Sequence, residues 1–181
     1  MCRAFIAFGS NISPADNVRA ALRRLARAET IAGLSTVYRT PAEGRPAQAD
    51  YYNGVVEIRT STPPETLKFG VLRRIEQELG RVRSADKFAA RTIDLDLIWY
   101  GDLVVTSAGL TIPDPEIAER PYLSLGLCEL APDLRMPDSG LRISEVAASQ
   151  RQGGMTPLLS YGDSLRDEIV HAHEANTERQ S

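Results

Sequence analysis

Apolar residues recur along this chain with two different periods, and the switches between them mark its elements. From Arg3 to Phe8 the chain is nearly all apolar and then breaks at Gly9-Ser10-Asn11, which predicts a short strand and a turn. Val18, Ala21, Leu22, Leu25 and Ala26 return at helical spacing and mark the buried face of a helix. Ser13 is its expected cap, Pro14 its expected first residue, and Asp16 suits its positive end. The arginines at 19, 23, 24 and 27 then form a solvated face. Ile31 to Tyr38 and Tyr51 to Thr60 read as two further strands. Between them, residues 40–50 hold Pro41, Gly44 and Pro46, so they read as a loop long enough to be functional or mobile.

Thr62-Pro63-Pro64-Glu65 reads as a capping box opening a second helix. Leu67, Val71, Ile75 and Leu79 give its apolar stripe, Glu76 stands on its last turn, and Gly80 stops it. Ile93 to Tyr100, bounded by Gly101, is the next strand. Leu103–Thr106 and Leu110–Ile112 predict a hairpin around Ser107-Ala108-Gly109. Pro113-Asp114-Pro115 breaks the chain. Residues 116–130 predict a helix or two turns carrying Arg120 and Tyr122, and 143–150 a short helix. From Gln152 the pattern weakens. Residues 163–181, with five acids, two arginines and both histidines, predict a solvated helix or a frayed end. His171 and His173 have no further metal ligand in sight.

The order β-α-β-β-α-β predicts an α+β fold with a ferredoxin-like core. In it, helices pack on an antiparallel sheet, with an extra hairpin and C-terminal helices added. Residues 1–150 read as one domain and 151–181 as a weakly structured or helical extension.

Composition changes this picture little. The chain has 181 residues, is 43% hydrophobic and 25% charged, and suits a globular domain. A net charge of −3 argues against a general nucleic-acid binder. Basic charge is local: residues 73–91 carry Lys or Arg at 73, 74, 81, 83, 87 and 91 against acids at 76, 78 and 86. Cys2 and Cys128 give no disulfide framework. No charged-then-apolar leader and no apolar run near 18 residues is present, so a cytoplasmic protein without a membrane span is expected.

The chemistry concentrates in Arg91-Thr92-Ile93-Asp94-Leu95-Asp96. In a strand, Asp94 and Asp96 leave the same face with Cα atoms roughly 6.5–7 Å apart, while Ile93, Leu95, Leu97 and Trp99 take the other. Two carboxylates this close repel unless a cation sits between them. Mg²⁺ fits, because it takes one or two carboxylates plus phosphate oxygens and water. Arg81, Arg83, Lys87 and Arg91 lie just upstream and suit a polyphosphate. The same residues also fit a strand with two solvated acids on its outer face. Asn53 offers an amide donor and acceptor at a strand entrance, for strand-end bonding or for a planar ligand.

At this point the chain resembles the 6-hydroxymethyl-7,8-dihydropterin pyrophosphokinase family. The resemblance runs from about residue 3 to about 148. It is carried by Phe8-Gly9-Ser10-Asn11, Tyr38-Arg39-Thr40-Pro41, Asp50-Tyr51-Tyr52-Asn53, Gly80-Arg81-Val82-Arg83, the Arg91 to Asp96 block and Glu129-Leu130-Ala131-Pro132. It implies transfer of pyrophosphate from ATP to a pterin alcohol in folate biosynthesis, with AMP released. Asp94 and Asp96 would hold two Mg²⁺ ions, with Arg81 and Arg91 beside the transferred group. Gly9, Thr40, Pro41, Tyr51, Asn53 and Tyr122 would bind the pterin, with Tyr51 and Tyr122 stacking on its ring. Glu76, Arg83, Lys87, Phe88, Leu97, Thr111 and Arg120 would lie on the ATP side. A monomer acting on these small molecules is implied, with no nucleic acid and no membrane.

This chain departs from the family on the ATP side. Asp114 stands where a His is usual, Pro115 where a Tyr or similar often follows, Gly109 near a common Arg, Phe88 near a Trp, and Ala89-Ala90 at a common Gly-Pro. A carboxylate at 114 would repel phosphates unless it turns away or meets a metal. The alternative reading is a non-catalytic or altered-specificity pterin or nucleotide-binding homologue.

Overall fold

The computed structural model describes residues 1–45, 47–83, 86, 88–150 and 154–177, with side chains in the last helix as far as Ile169. Lys87 and the side chains of His171 and His173 lie outside what it describes. The strands are β1 (Cys2–Ser10), β2 (Thr30–Leu34), β3 (Tyr38–Thr40), β4 (Tyr51–Thr60), β5 (Asp94–Tyr100), β6 (Val105–Ser107), β7 (Leu110–Ile112) and β8 (Thr156–Pro157). The helices are α1 (Pro14–Ala28), α2 (Pro64–Thr66), a π-helical stretch (Leu67–Leu72), α3 (Arg73–Glu78), a 3-10 turn (Pro115–Ala118), α4 (Pro121–Leu130), α5 (Ile143–Ser149) and α6 (Leu159–Thr177). No helix among the described residues is long and apolar enough to cross a membrane.

The main sheet runs β5-β1-β4-β3-β8, with β2 also on β4, and all the strand pairings are antiparallel. Taking β2 and β3 as one interrupted strand gives the ferredoxin-like order expected from the sequence. The expected strand Ile31–Tyr38 is therefore broken in two. Ser35 does the breaking: its hydroxyl accepts from the Val55 N–H at 2.9 Å, in place of a ladder carbonyl.

Register sorts the side chains onto two faces. Ile6, Phe8, Val56, Ile58, Leu95 and Leu97 face one way and meet Val18, Leu22 and Leu25 of α1. Leu165 and Ile169 of α6 are fully buried in this same core, although a solvated or frayed end was expected there. Burying two such side chains contributes about 1.5–3 kcal/mol each. Phe5, Val55, Ile98 and Trp99 face the other way and are covered by Leu123 and Leu127 of α4 and Ile143 and Val146 of α5. Among the described residues, α4 and α5 are the α-helices packed on that second face.

Three local expectations give way to better partners. Strict alternation put Trp99 opposite the aspartates. Phe5 pairs with Trp99 and Ile6 with Leu97, so Ile98 is an extra residue, a bulge, and it turns Trp99 onto the aspartate face. Ser13 makes no side-chain cap, because it sits in the left-handed region at φ 40°; its carbonyl instead accepts from Asp16 and Asn17 N–H. Thr62 does not cap α2 either, since its hydroxyl donates to Glu29 Oε1 at 2.7 Å.

Candidate active site

The open part of the second face carries the polar residues the sequence singled out. Gly9 of β1 pairs with Asp94 of β5 on one side and Asn53 of β4 on the other, and Asn53 pairs with Tyr38 of β3. Asp94, Gly9 and Asn53 thus form one row across three strands. Strand spacing puts the aspartate and the amide roughly 9.5 Å apart, with a glycine floor between them. Asp96 and Ala7 form the next row inward, and Tyr51 opposite Thr40 the next outward. Asn53 is 7% exposed and its Nδ2 donates to Thr40 Oγ1 at 2.7 Å. Tyr122, in the first turn of α4, packs against the core of this face. Burial pushes its phenol up, and the charges of Asp94 and Asp96 add to this. Pro41 is exposed where the loop leaves β3.

The basic side of the site is built by a helix end. Gly80 has φ +73°, its N–H bonds the Gln77 carbonyl at 3.0 Å, and the Arg81 N–H bonds the Glu76 carbonyl at 3.0 Å. This left-handed cap reverses the chain and returns Arg81 and Arg83 over Glu76. Glu76 is 2% exposed, and its carboxylate is held by charged and polar donors. One oxygen takes Arg81 and the Leu95 N–H (2.9 Å), the other takes Arg83 at 2.5 Å. Arg81 bridges from Glu76 to Asp94, whose second oxygen takes Arg91. Arg91 is fixed in turn by its N–H on Asn11 Oδ1 at 2.8 Å. A cavity of about 240 Å³ opens among Arg81, Arg83 and Arg91. That is below the usual range for a whole drug-sized ligand but large enough for phosphate groups.

The two carboxylates differ electrostatically. Burial pushes Asp94 up, but Arg81 and Arg91 outweigh it and hold the group below the usual range. Burial and the Asp94 charge push Asp96 up to about 6. Its side chain is still 48% exposed, so water screens part of that repulsion and leaves the group accessible. Oxygen donors only, two carboxylates on one face, fit Mg²⁺ shared with phosphate oxygens. Among the described residues no set of three acidic, His or Cys side chains makes a self-sufficient cage.

The ATP-side expectations divide. Arg120 ends its loop as the residue capping α4, paired with Glu116 at 2.6 Å and Glu43 at 3.4 Å. Leu97 is buried in the helix-covered core, so only its backbone can meet a ligand. Thr111 lies in β7, opposite Thr106. The Phe88 carbonyl accepts from Gln48 Nε2 at 3.0 Å, and Arg45 pairs with Asp86 at 2.6 Å, so the two loops flanking the site are joined. Asp114 accepts from the Glu116 N–H at 2.9 Å and caps the 3-10 turn, and burial pushes its carboxyl up. Two residues given no role from the sequence also belong here: Asn11, which clamps Arg91, and Lys68, whose Nζ is 3.7 Å from Asp96 Oδ1.

The sequence profile described as 7,8-dihydro-6-hydroxymethylpterin-pyrophosphokinase (HPPK) matches residues 5–132. A 2-amino-4-hydroxy-6-hydroxymethyldihydropteridine pyrophosphokinase of Synechocystis sp. is 41% identical over 179 residues, covering 93% of this chain and 88% of the relative. The protein of the same name from Haemophilus influenzae is 36% identical, covering 77% and 88%. Among solved structures, Plasmodium falciparum HPPK-DHPS with pteroate superposes with a TM-score of 0.63 at 12% identity, which speaks to fold alone. That match covers 81% of this chain and 42% of the longer solved chain.

Proposed function

This chain belongs to the 7,8-dihydro-6-hydroxymethylpterin-pyrophosphokinase family, and we propose that it transfers pyrophosphate from ATP to 6-hydroxymethyl-7,8-dihydropterin in folate biosynthesis. The observation that carries this reading is the row Asp94–Gly9–Asn53, with guanidinium groups at its acidic end and an amide at the other. A flat ring fits with its amide edge toward Asn53 and Thr40, and Tyr51 and Tyr122 cover its faces. Its hydroxymethyl group then points to the aspartates.

The hydroxymethyl oxygen attacks the β-phosphorus, the bond from that phosphorus to the α–β bridging oxygen breaks, and AMP leaves as the hydroxyl proton is lost. Such transfer asks the protein chiefly for position and charge compensation. Asp94 and Asp96 are the residues that would hold two Mg²⁺ ions, which would neutralise the phosphate oxygens and orient the attacking one. Arg81 and Arg91 offset charge on the transferred group, and a metal held by Asp94 would free them for it. Glu76 keeps Arg81 in place throughout. The joined loops 42–50 and 82–90 close over the ligands and exclude water.

The alternative of a non-catalytic homologue draws on Asp114 and Gly109. The bond from the Glu116 N–H to Asp114 supports a capping role for that carboxylate. The test is a product assay with ATP, Mg²⁺ and the pterin alcohol, separating AMP from ADP. AMP that needs both pterin and Mg²⁺ supports the reading; pterin binding without AMP supports the alternative.

A further inference from the structure

One cation beside the acidic pair comes from neither the basic loop nor β5. Lys68 lies in the π-helical stretch, on the helix-covered side of the sheet, yet its Nζ stands 3.7 Å from Asp96 Oδ1 on the open side. The topology allows this. β5 is the edge strand of the main sheet, which leaves the side chain a way round it. The wide turn aims the side chain: the Arg73 N–H bonds the Lys68 carbonyl, five residues back instead of four. Leu67 and Leu72 stay fully buried on either side of it, so the widened turn keeps the apolar stripe and frees the lysine.

Lys68 is 20% exposed and forms an ion pair with Asp96. Its charge acts on Asp96 and also on Asp114, the group capping the 3-10 turn. At 3.7 Å its contact with Asp96 is an ion pair rather than a formed hydrogen bond, so it exchanges readily. An ammonium on a flexible stem, with three rotatable donors, suits passing between anions. Arg81 is different, because Glu76 and Asp94 hold its rigid fork from two sides.

We propose that Lys68 is a nucleotide-phosphate contact of this chain: when the nucleotide binds, the ammonium passes from Asp96 to a phosphate oxygen and shields that oxygen from Asp114. This rests on the ATP-dependent reading given above. It explains how a carboxylate at 114 is tolerated beside a polyphosphate.

The test reads binding as well as turnover. Calorimetry with Mg²⁺ and α,β-methylene-ATP, which lacks the bond that breaks, gives nucleotide affinity without reaction. Lys68→Met is expected to weaken the analogue about tenfold or more, the size of a lost charged hydrogen bond, with pterin affinity unchanged. Lys68→Arg should restore most of it. Asp114→Asn in the Lys68→Met background should recover part, because the unshielded carboxylate is then gone. Thermal melts check folding, and Lys68→Gln repeats the loss with a polar side chain. Unchanged analogue affinity, equal loss for pterin and nucleotide, or no recovery by Arg or by Asp114→Asn overturns the proposal. Absence of AMP from the wild-type protein, with the Lys68 effect on analogue binding intact, overturns the activity and not the contact.

Discussion

The Asn53 amide lies directly over Gly9: a Cβ there would stand 2.5 Å from Asn53 Oδ1. Real carbons do not approach that closely, so Gly9→Ala must push the amide off Thr40 or shift β1. We expect a stability loss of about 1–3 kcal/mol. Pterin affinity should fall at least tenfold while nucleotide affinity holds. Calorimetry with each ligand separately checks this, and an equal loss for both would count against Asn53 as the pterin contact.

Asp96 carries a pH signature. A carboxyl whose folded value is pushed up to about 6 holds its proton more tightly folded than unfolded. Stability therefore falls as pH rises from about 4 to about 6, and the penalty stays above that. Asp96→Asn should raise the unfolding midpoint of the ligand-free protein at pH 8, change little at pH 4, and abolish Mg²⁺-dependent ATP binding. Melts at the two pH values, with and without Mg²⁺ and ATP, read all three effects.

Glu76 is the keystone beneath the arginines. Glu76→Ala leaves Arg81 half-paired and the buried Leu95 N–H unmet, at a cost of about 3–5 kcal/mol. Glu76→Gln keeps an acceptor for Leu95 and should cost less. Urea unfolding of the two variants orders them, and equal losses would show that the charge alone matters.

The contacts between the flanking loops are weak by construction. Arg45 and Asp86 are each 40% or more exposed, so Arg45→Ala should change global stability by less than about 1 kcal/mol. Hydrogen exchange across residues 41–50 should nonetheless speed up, since Gln48 loses a neighbour that helps hold it to the Phe88 carbonyl.

Much of this was legible before any coordinates. Tyr51–Thr60 and Leu110–Ile112 form as read, and Asp94 and Asp96 share a face because a two-residue period is all that needs to hold between them. What escaped depends on partners distant in sequence. The bulge at Ile98 comes from pairing with β1, which strict alternation does not contain. Thr62 was read as a cap because Thr-x-x-Glu is local, but Glu29 arrives from across the fold. Lys68 was invisible because the stripe counts apolar positions and assumes four residues per bond, while one wide turn decides where its polar neighbour points. Tyr161 offers a further case: burial pushes its phenol up to about 12, and its ring stands edge-on to Tyr52, at a distance in sequence no pattern spans.

The burial of Leu165 and Ile169 makes α6 a structural part of the domain and not an appendage to it. α6 packs against the helix-covered side of the sheet, and Tyr161 at its start stands edge-on to Tyr52 while Gly162 passes close to Val37. A domain cut near residue 150 would therefore lose two fully buried side chains and uncover Val37 and Tyr52, so trimming that end weakens the same sheet that carries Asn53.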